Sequence, residues 1–175
     1  MASSSVHDPK ILDVLSAIAP VALEATVFRA VFQGRDPAIG TLAGGRWSPP
    51  QTFEALYTSL SAECAIAEVQ FHLERQSIFP SRPVEVHTLG IITERTIDIS
   101  TESARNALGI DSATLTSLNY EVCQNVGHAA EFLGFDSLQV PSARCDADNM
   151  VIIVGHLASP IVSSFKRIVD WTRYR

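Results

Sequence analysis

The sequence predicts a single α+β domain in which a mixed β-sheet core is flanked by helices. A chain of 175 residues with 46% apolar and 18% charged residues is long enough and apolar enough to form one hydrophobic core. Strand-like and helix-like segments follow one another at irregular spacing, unlike the regular units of a doubly wound sheet. The sequence also lacks a GxGxxG fingerprint and a P-loop.

The first third of the chain predicts one helix and two strands after a short tail at residues 1–8. Pro9–Ala19 has the apolar spacing of a helix, and the proline at position 20 ends it. Thr26–Phe32 is rich in β-branched and aromatic residues, which favours a strand. Gln33–Gly45 contains four glycines and one proline and is typical of a loop. Ala55–Thr58 is expected to be a short strand.

A helix is expected to start after Ser59, a good N-cap residue, and to end near Arg75. When the residues are placed around a helix at ~100° per residue, most of its surface is apolar and only a narrow face is polar. Glu68 falls on the flank between two apolar faces, beside the small residues Cys64 and Ala65. A carboxylate resists burial unless it has a partner or a chemical role, so Glu68 is a candidate functional residue.

The middle of the chain predicts a strand at Val84–Ile92, which can continue to Ile99, and a short helix at Thr101–Leu108. A longer helical region follows at Asp111–Leu133, with a break near Tyr120 and Gly134 directly after it.

The last part of the chain predicts the remaining strands. Phe135–Val140 and the continuous apolar run Met150–Val154 are expected to be strands on either side of a polar loop at residues 141–149. Ile161–Trp171 is expected to be a final strand or mixed segment.

Charge and cysteine content exclude several classes of function. The net charge of −6 and the pI of about 5.3 argue against a broad nucleic-acid-binding face. Three widely spaced cysteines without a CxxC pair, Cys64, Cys123 and Cys145, argue against a disulfide framework and against a zinc site. The apolar run Ile11–Ala25 is short and interrupted by polar residues, and the N-terminus lacks a basic start, so we expect a cytoplasmic protein.

One short stretch, Gly44-Gly45-Arg46-Trp47, has the composition of a phosphate site. Glycines let a backbone approach an anion, and a guanidinium fits phosphate oxygens bidentately. Alone, this stretch is equally compatible with a surface loop. Arg29 upstream and Tyr57 and Glu68 downstream extend it into a possible ligand cleft. An arginine in the middle of an apolar strand is the harder of the two cations to explain structurally.

Four motifs in this order resemble the RES domain family across residues 26–155. They are Phe28-Arg29, Gly44-Gly45-Arg46-Trp47, Leu56-Tyr57-Thr58-Ser59 with the helix to Glu68, and Gly134-Phe135-Asp136-Ser137-Leu138-Gln139-Val140-Pro141-Ser142-Ala143-Arg144 followed by Asn149-Met150-Val151-Ile152. The resemblance implies residues 26–175 as the RES domain, preceded by a tail and helix at residues 1–25. It also implies a fold similar to ADP-ribosyltransferase toxins, with a split mixed sheet and a cleft for NAD⁺.

The resemblance further implies an NAD⁺-consuming enzyme, a glycohydrolase or phosphorylase, that acts as the toxin of a bacterial toxin–antitoxin pair. NAD⁺ would be a substrate, with no cofactor and no metal. Glu68, Arg29 and Tyr57 would be the catalytic residues. Arg29 and Arg46 would hold the pyrophosphate, and Ser142 would orient the nicotinamide amide. The remaining NAD⁺ contacts would come from Gly44, Gly45, Trp47 and Tyr57.

The implied partner is a cognate antitoxin with an Xre-like helix-turn-helix domain, without direct nucleic-acid or membrane binding. A homo-oligomer also stays open. The sequence departs from the family at Ser48-Pro49-Pro50, where the family usually has an Asn and a Gly-bearing turn. This leaves Ser48 as a possible hydrogen-bond donor beside Trp47. Two alternatives remain: a protein ADP-ribosyltransferase, and a catalytically inert binding domain of the same fold.

Overall fold

In the computed structural model, which describes residues 6–76 and 82–174, five β-strands form a closed ring and a sixth extends it. The strands are β1 (Val21–Phe32), β2 (Ala55–Ser59), β3 (Val84–Asp98), β4 (Ser137–Pro141), β5 (Asp148–Ile153) and β6 (Val162–Ile168).

The ring contains both antiparallel and parallel neighbours. β1 lies antiparallel to β3 along nearly its whole length, from Val21 opposite Thr96 to Phe32 opposite Val84. β2 pairs with β5 and β5 with β4, both antiparallel, and β4 runs parallel to β3. A bridge between β1 and β2 closes the ring, and β6 pairs antiparallel with β3. The predicted α+β class with a mixed sheet is therefore confirmed.

Five α-helices in the described residues cover this sheet: α1 (Pro9–Ala17), α2 (Ala62–Glu74), α3 (Glu102–Ala107), α4 (Ser112–Thr116) and α5 (Glu121–Phe132). Asp8 caps α1 by accepting a hydrogen bond from the Lys10 N–H, and α1 packs against α5. Among the described residues, no helix combines the length and hydrophobicity needed to cross a bilayer.

The predicted N-cap of α2 was wrong by two residues. Ser61 is the cap, and its hydroxyl accepts a hydrogen bond from the Cys64 N–H at 3.4 Å. Ser59 instead ends β2, where its backbone pairs with Asn149. Strand pairing therefore includes Ser59, although serine is a residue type that favours the start of a helix.

Other boundaries follow the sheet pairing rather than local propensity. β1 begins at Val21, five residues earlier than predicted, and β3 continues without interruption to Asp98. Both extensions lie where β1 and β3 pair with each other, since Val21 is opposite Thr96. The predicted break in the helical region is confirmed, because α4 ends at Thr116 and α5 begins after Tyr120.

Buried side chains on the two faces of β2 and β5 belong to different cores. Leu56, Met150 and Ile152 pack with residues of β1 and β3 inside the ring. Alternate residues, such as Ala55 and Val151, pack beneath α1 and α5. A third cluster joins α2 to β1 and β3. Because α2 packs across one end of β1 and β2, a pocket forms between this helix, the strand ends and their loops.

Candidate active site

The pocket has a volume of about 380 Å³ and lies between β1, β2, α2 and two loops. Three arginines and one glutamate line it, although the whole chain carries a net charge of −6. The charged lining residues are Arg29, Arg46, Arg144 and Glu68. A pocket with this excess of guanidinium groups suits an anionic ligand.

Glu68 lies on the pocket-facing side of α2, and its carboxylate is fixed by two side chains. Its Oε1 accepts a hydrogen bond from the Ser142 hydroxyl at 2.8 Å and another from the Asn149 Nδ2 at 3.1 Å. Glu68 is half-buried, as its position between two apolar faces predicted. The residues Glu68, Ser142 and Asn149 are called the carboxylate wall below.

The pairing of β5 with its neighbours places the Asn149 side chain within hydrogen-bond distance of Glu68 on α2. Asn149 is the second residue of β5 and pairs with both Ser59 of β2 and Val140 of β4. Ser142 directly follows β4, and its N–H donates to the Ala147 carbonyl at 3.1 Å. These backbone bonds hold the 142–147 loop against the end of the sheet, so both donors reach the same carboxylate oxygen.

The structure also contains a disulfide between Cys64 and Cys145, which corrects the argument against disulfides drawn from cysteine spacing. The Cα atoms are 5.9 Å apart, a usual separation for a disulfide. Cys64 lies one turn before Glu68, and Cys145 lies in the loop that carries Ser142. A wide sequence separation is no obstacle to pairing once the fold brings the segments together. In the chain-entropy model, closing a loop of 81 residues stabilises the folded state by about 4.5 kcal/mol.

Arg29 lies in the middle of β1, opposite His87 of β3. Its Nη1 donates to the carbonyl oxygens of Pro37 and Ile39, with a distance of 2.7 Å to Pro37. Burial lowers the pKa of Arg29, and the neighbouring Arg35 lowers it further, yet a guanidinium keeps its charge in proteins. One nitrogen of Arg29 therefore holds the loop after β1, and the residue still lines the pocket.

Arg46 follows the two glycines in a tight turn that the Gly45 N–H closes on the Ser48 carbonyl at 2.9 Å. Its Nη1 donates to the Ser117 carbonyl at 2.9 Å, and its guanidinium carbon lies 4.5 Å from the centre of the Tyr120 ring. The turn, the carbonyl and the aromatic ring fix the cation at the pocket edge.

Tyr57 extends from β2 toward this turn. Its hydroxyl accepts a hydrogen bond from the Trp47 N–H at 3.0 Å and shares another with the Ser48 hydroxyl at 2.8 Å. Burial raises the pKa of Tyr57, so the phenol stays neutral near pH 7. A Cβ at Gly45 would lie only 2.5 Å from the Tyr57 hydroxyl oxygen, so this close approach requires glycine. Arg29, Arg46 and Tyr57 are called the arginine wall below.

Trp47 and Ser142 are both largely buried, and of these two residues Trp47 lines the pocket. Trp47 is 2% exposed and belongs to the core beneath α5, where its carbonyl leaves no room for a Cβ at Gly127. Ser142 is 8% exposed and is not among the residues that line the pocket; its hydroxyl donates to Glu68.

Sequence reasoning gave no role to Arg144. Its guanidinium carbon lies 3.4 Å from the centre of the Phe71 ring, and its backbone N–H donates to the Ser142 hydroxyl oxygen at 3.0 Å. The sequence feature that bears on Arg144 is its stacking partner Phe71, an aromatic residue three positions after Glu68 on α2. Asn149 appeared only as part of a motif, and its contact with Glu68 could not be read from spacing.

The fold thus brings Arg29, Gly44, Gly45, Arg46, Trp47, Tyr57 and Glu68 to one pocket, with Ser142 directly behind Glu68. Such a pocket can bind an anionic ligand through the guanidinium groups. It can also place a fixed carboxylate next to a centre that becomes positively charged. No cluster of His, Cys, Asp and Glu that could hold a metal ion occurs in the described residues.

Comparison with known proteins agrees with these features. Residues 22–171 match the model of the RES domain. Proteins named NAD(+) phosphorylase MbcT, from Mycobacterium bovis and Mycobacterium tuberculosis, are 30% identical over 147 residues, covering 80% of this chain and 79% of theirs. A chain in the crystal structure of the M. tuberculosis MbcT–MbcA toxin–antitoxin complex superposes with a TM-score of 0.85 and 25% identity. That match covers 95% of this chain and 96% of the other.

Proposed function

Because this chain belongs to the RES domain family, we propose that it consumes NAD⁺ by cleaving the bond between nicotinamide and ribose. The observation that carries the proposal is the carboxylate of Glu68, fixed by Ser142 and Asn149, in a pocket lined by arginines. The acceptor of the ADP-ribosyl group is phosphate or water. The similarity to proteins named NAD(+) phosphorylase favours phosphate.

The arginine wall binds the substrate in this proposal. NAD⁺ is a substrate and not a bound cofactor. Arg29 and Arg46 hold its pyrophosphate, and the backbone of Gly44 and Gly45 lies beside the same anion. Tyr57 contacts the nicotinamide end as a neutral phenol. Trp47 supports this wall from the core, since its indole is almost fully buried.

The carboxylate wall performs the chemistry. When the bond between the ribose carbon and the nicotinamide nitrogen breaks, its electron pair goes to the neutral nicotinamide, which needs no acid. The sugar becomes oxocarbenium-like, and a nearby carboxylate stabilises that positive charge. Glu68 supplies this carboxylate. Ser142 acts as a positioning residue for Glu68, a revision of its expected contact with the nicotinamide amide.

The proposed partner is an antitoxin that covers the pocket. The structurally similar MbcT is in a toxin–antitoxin complex, and the resemblance of this chain to its family implies an antitoxin with an Xre-like helix-turn-helix domain. Co-expression with the product of the adjacent reading frame should restore growth to cells that this chain inhibits. A growth defect that persists with every neighbouring product argues against this partner.

The direct test is product analysis of purified protein incubated with adenine-labelled NAD⁺, with and without phosphate. We expect free nicotinamide together with ADP-ribose 1-phosphate in phosphate buffer. ADP-ribose alone indicates hydrolysis, and label on a macromolecule indicates the transferase alternative. Unchanged NAD⁺ after prolonged incubation contradicts the proposed function and favours an inert binding domain.

A further inference from the structure

Arg144 differs from the other two arginines of the pocket in how it is held. Arg29 and Arg46 donate to backbone carbonyl oxygens. The guanidinium of Arg144 stacks on Phe71, and within residues 6–76 and 82–174 it has neither an ion pair nor a side-chain hydrogen bond. Stacking fixes the plane of the guanidinium while leaving all its N–H groups for a ligand.

Arg144 also lies next to the reacting end of the pocket. Its backbone N–H donates to the Ser142 hydroxyl oxygen, and that hydroxyl donates to Glu68. The disulfide of the adjacent Cys145 to Cys64 ties the same loop to α2, one turn before Glu68. The backbone of Arg144 is therefore fixed beside the partner of Glu68, and its stacked cation lines the same pocket as the Glu68 carboxylate.

We propose that Arg144 binds the acceptor phosphate and thereby selects phosphate over water as the acceptor. This inference rests on the proposed cleavage of NAD⁺. Arg29 and Arg46 account for the pyrophosphate of NAD⁺ on the arginine wall, and Arg144 provides a separate planar fork on the carboxylate wall.

A phosphate dianion that approaches the ribose beside Glu68 meets a like charge. Without a neighbouring cation, this repulsion excludes phosphate and leaves neutral water as the acceptor. A guanidinium that forms two parallel hydrogen bonds with phosphate oxygens cancels the repulsion and orients the third oxygen. Arg144 is the group that can do this from the side of Glu68.

The transfer step balances without any further reactant. The bond between the ribose carbon and the nicotinamide nitrogen breaks, and its electron pair stays on the nicotinamide. A phosphate oxygen donates a lone pair to the same carbon and forms a C–O bond. The products are nicotinamide and ADP-ribose 1-phosphate. The remaining phosphate proton is released to solvent, because the second pKa of a phosphate monoester is about 6.

The test compares Arg144→Gln with Arg75→Gln in steady-state assays that vary phosphate and NAD⁺ separately. Arg75 is a matched control because it approaches the same ring at 5.4 Å but is exposed and does not line the pocket. For Arg144→Gln we expect the KM for phosphate to rise about 10- to 100-fold, with the KM for NAD⁺ within about twofold of the unaltered value. The product should shift from ADP-ribose 1-phosphate toward ADP-ribose.

Two further measurements complete the design. Arg144→Lys should recover part of the phosphate dependence, since it keeps the charge but loses the planar fork. Calorimetric titration of inorganic phosphate should give binding to the unaltered protein and to Arg75→Gln, and at least tenfold weaker binding to Arg144→Gln. Thermal unfolding of each variant confirms that the folded state is being compared.

Several results would overturn the inference. One is a rise in the KM for NAD⁺ without a change in that for phosphate, which assigns Arg144 to the pyrophosphate. Another is turnover of NAD⁺ at a rate that does not depend on phosphate. This result contradicts the role of Arg144 but is consistent with the proposed cleavage of NAD⁺. Failure of the unaltered protein to consume NAD⁺ overturns the proposed function together with this inference.

Discussion

The charged groups on the two walls of the pocket are positioned by different hydrogen-bond partners. On the arginine wall, the cations donate to backbone carbonyls, so Arg29 and Arg46 are positioned by the path of the main chain. On the carboxylate wall, two side chains donate to one oxygen of Glu68. A ligand-holding wall positioned by backbone should tolerate side-chain replacement better than a reactive wall positioned by side chains. The difference predicts graded effects of substitution.

The largest effect is expected for Glu68→Gln on the carboxylate wall. Loss of the charge that stabilises the oxocarbenium-like centre should lower kcat for NAD⁺ cleavage about 10²- to 10³-fold. The amide can still accept the bonds from Ser142 and Asn149, so the free energy of unfolding should change little. Glu63→Gln is the matched control, because Glu63 is exposed on the same helix and lies outside the pocket. Near-normal kcat in Glu68→Gln contradicts the assignment.

An intermediate effect is expected for Asn149→Asp, which replaces a donor by a second carboxylate beside Glu68. Like charges at this distance raise the pKa of one of the two carboxyl groups. We expect kcat at neutral pH to fall about tenfold to a hundredfold, and the acid limb of the pH–rate profile to move to higher pH. Asn106→Asp, on the exposed side of α3, controls for the added charge. An unchanged pH profile would show that Asn149 does not position Glu68.

The smallest effect is expected for Arg29→Gln on the arginine wall. One charge-assisted hydrogen bond to a pyrophosphate should be lost, which raises the KM for NAD⁺ roughly tenfold and changes kcat little. Arg35→Gln, at an exposed position near the same loop, is the control. A fall in kcat as large as that of Glu68→Gln would remove the distinction between the two walls.

Several pocket residues could be identified from the sequence because a charged side chain is unexpected within an apolar strand or helix face. Arg29 is a cation within an apolar strand, and Glu68 lies between two apolar faces of a helix; both conflicts are resolved at the pocket. Gly45 was expected to approach a ligand; in the structure it lines the pocket and also lies against Tyr57, a contact that the sequence did not predict. The glycine at position 45 indicated a close approach of the backbone to another group, but the identity of that group, Tyr57, depended on the tertiary fold.

Other contacts depended on long-range pairing that a linear pattern does not encode. The disulfide of Cys64 with Cys145 was wrongly discounted, since the spacing of cysteines says nothing about which loop lies over which helix. The contact of Asn149 with Glu68 requires the register of β5 against both of its neighbours. The extra length of β1 and β3 likewise comes from their mutual pairing, which overrides local propensity.

The hydrogen bonds to Glu68 connect parts of the chain 74 and 81 residues apart. Contacts of such long range form only after the intervening chain has been ordered, because loop closure must be offset by structure already present. Helix α2 can form early from its local sequence and cap, but its carboxylate acquires its partners only when the hairpin of β4 and β5 docks. A chain in which the β4–β5 hairpin has not docked therefore lacks the two donors that fix Glu68, the carboxylate on which the proposed activity depends.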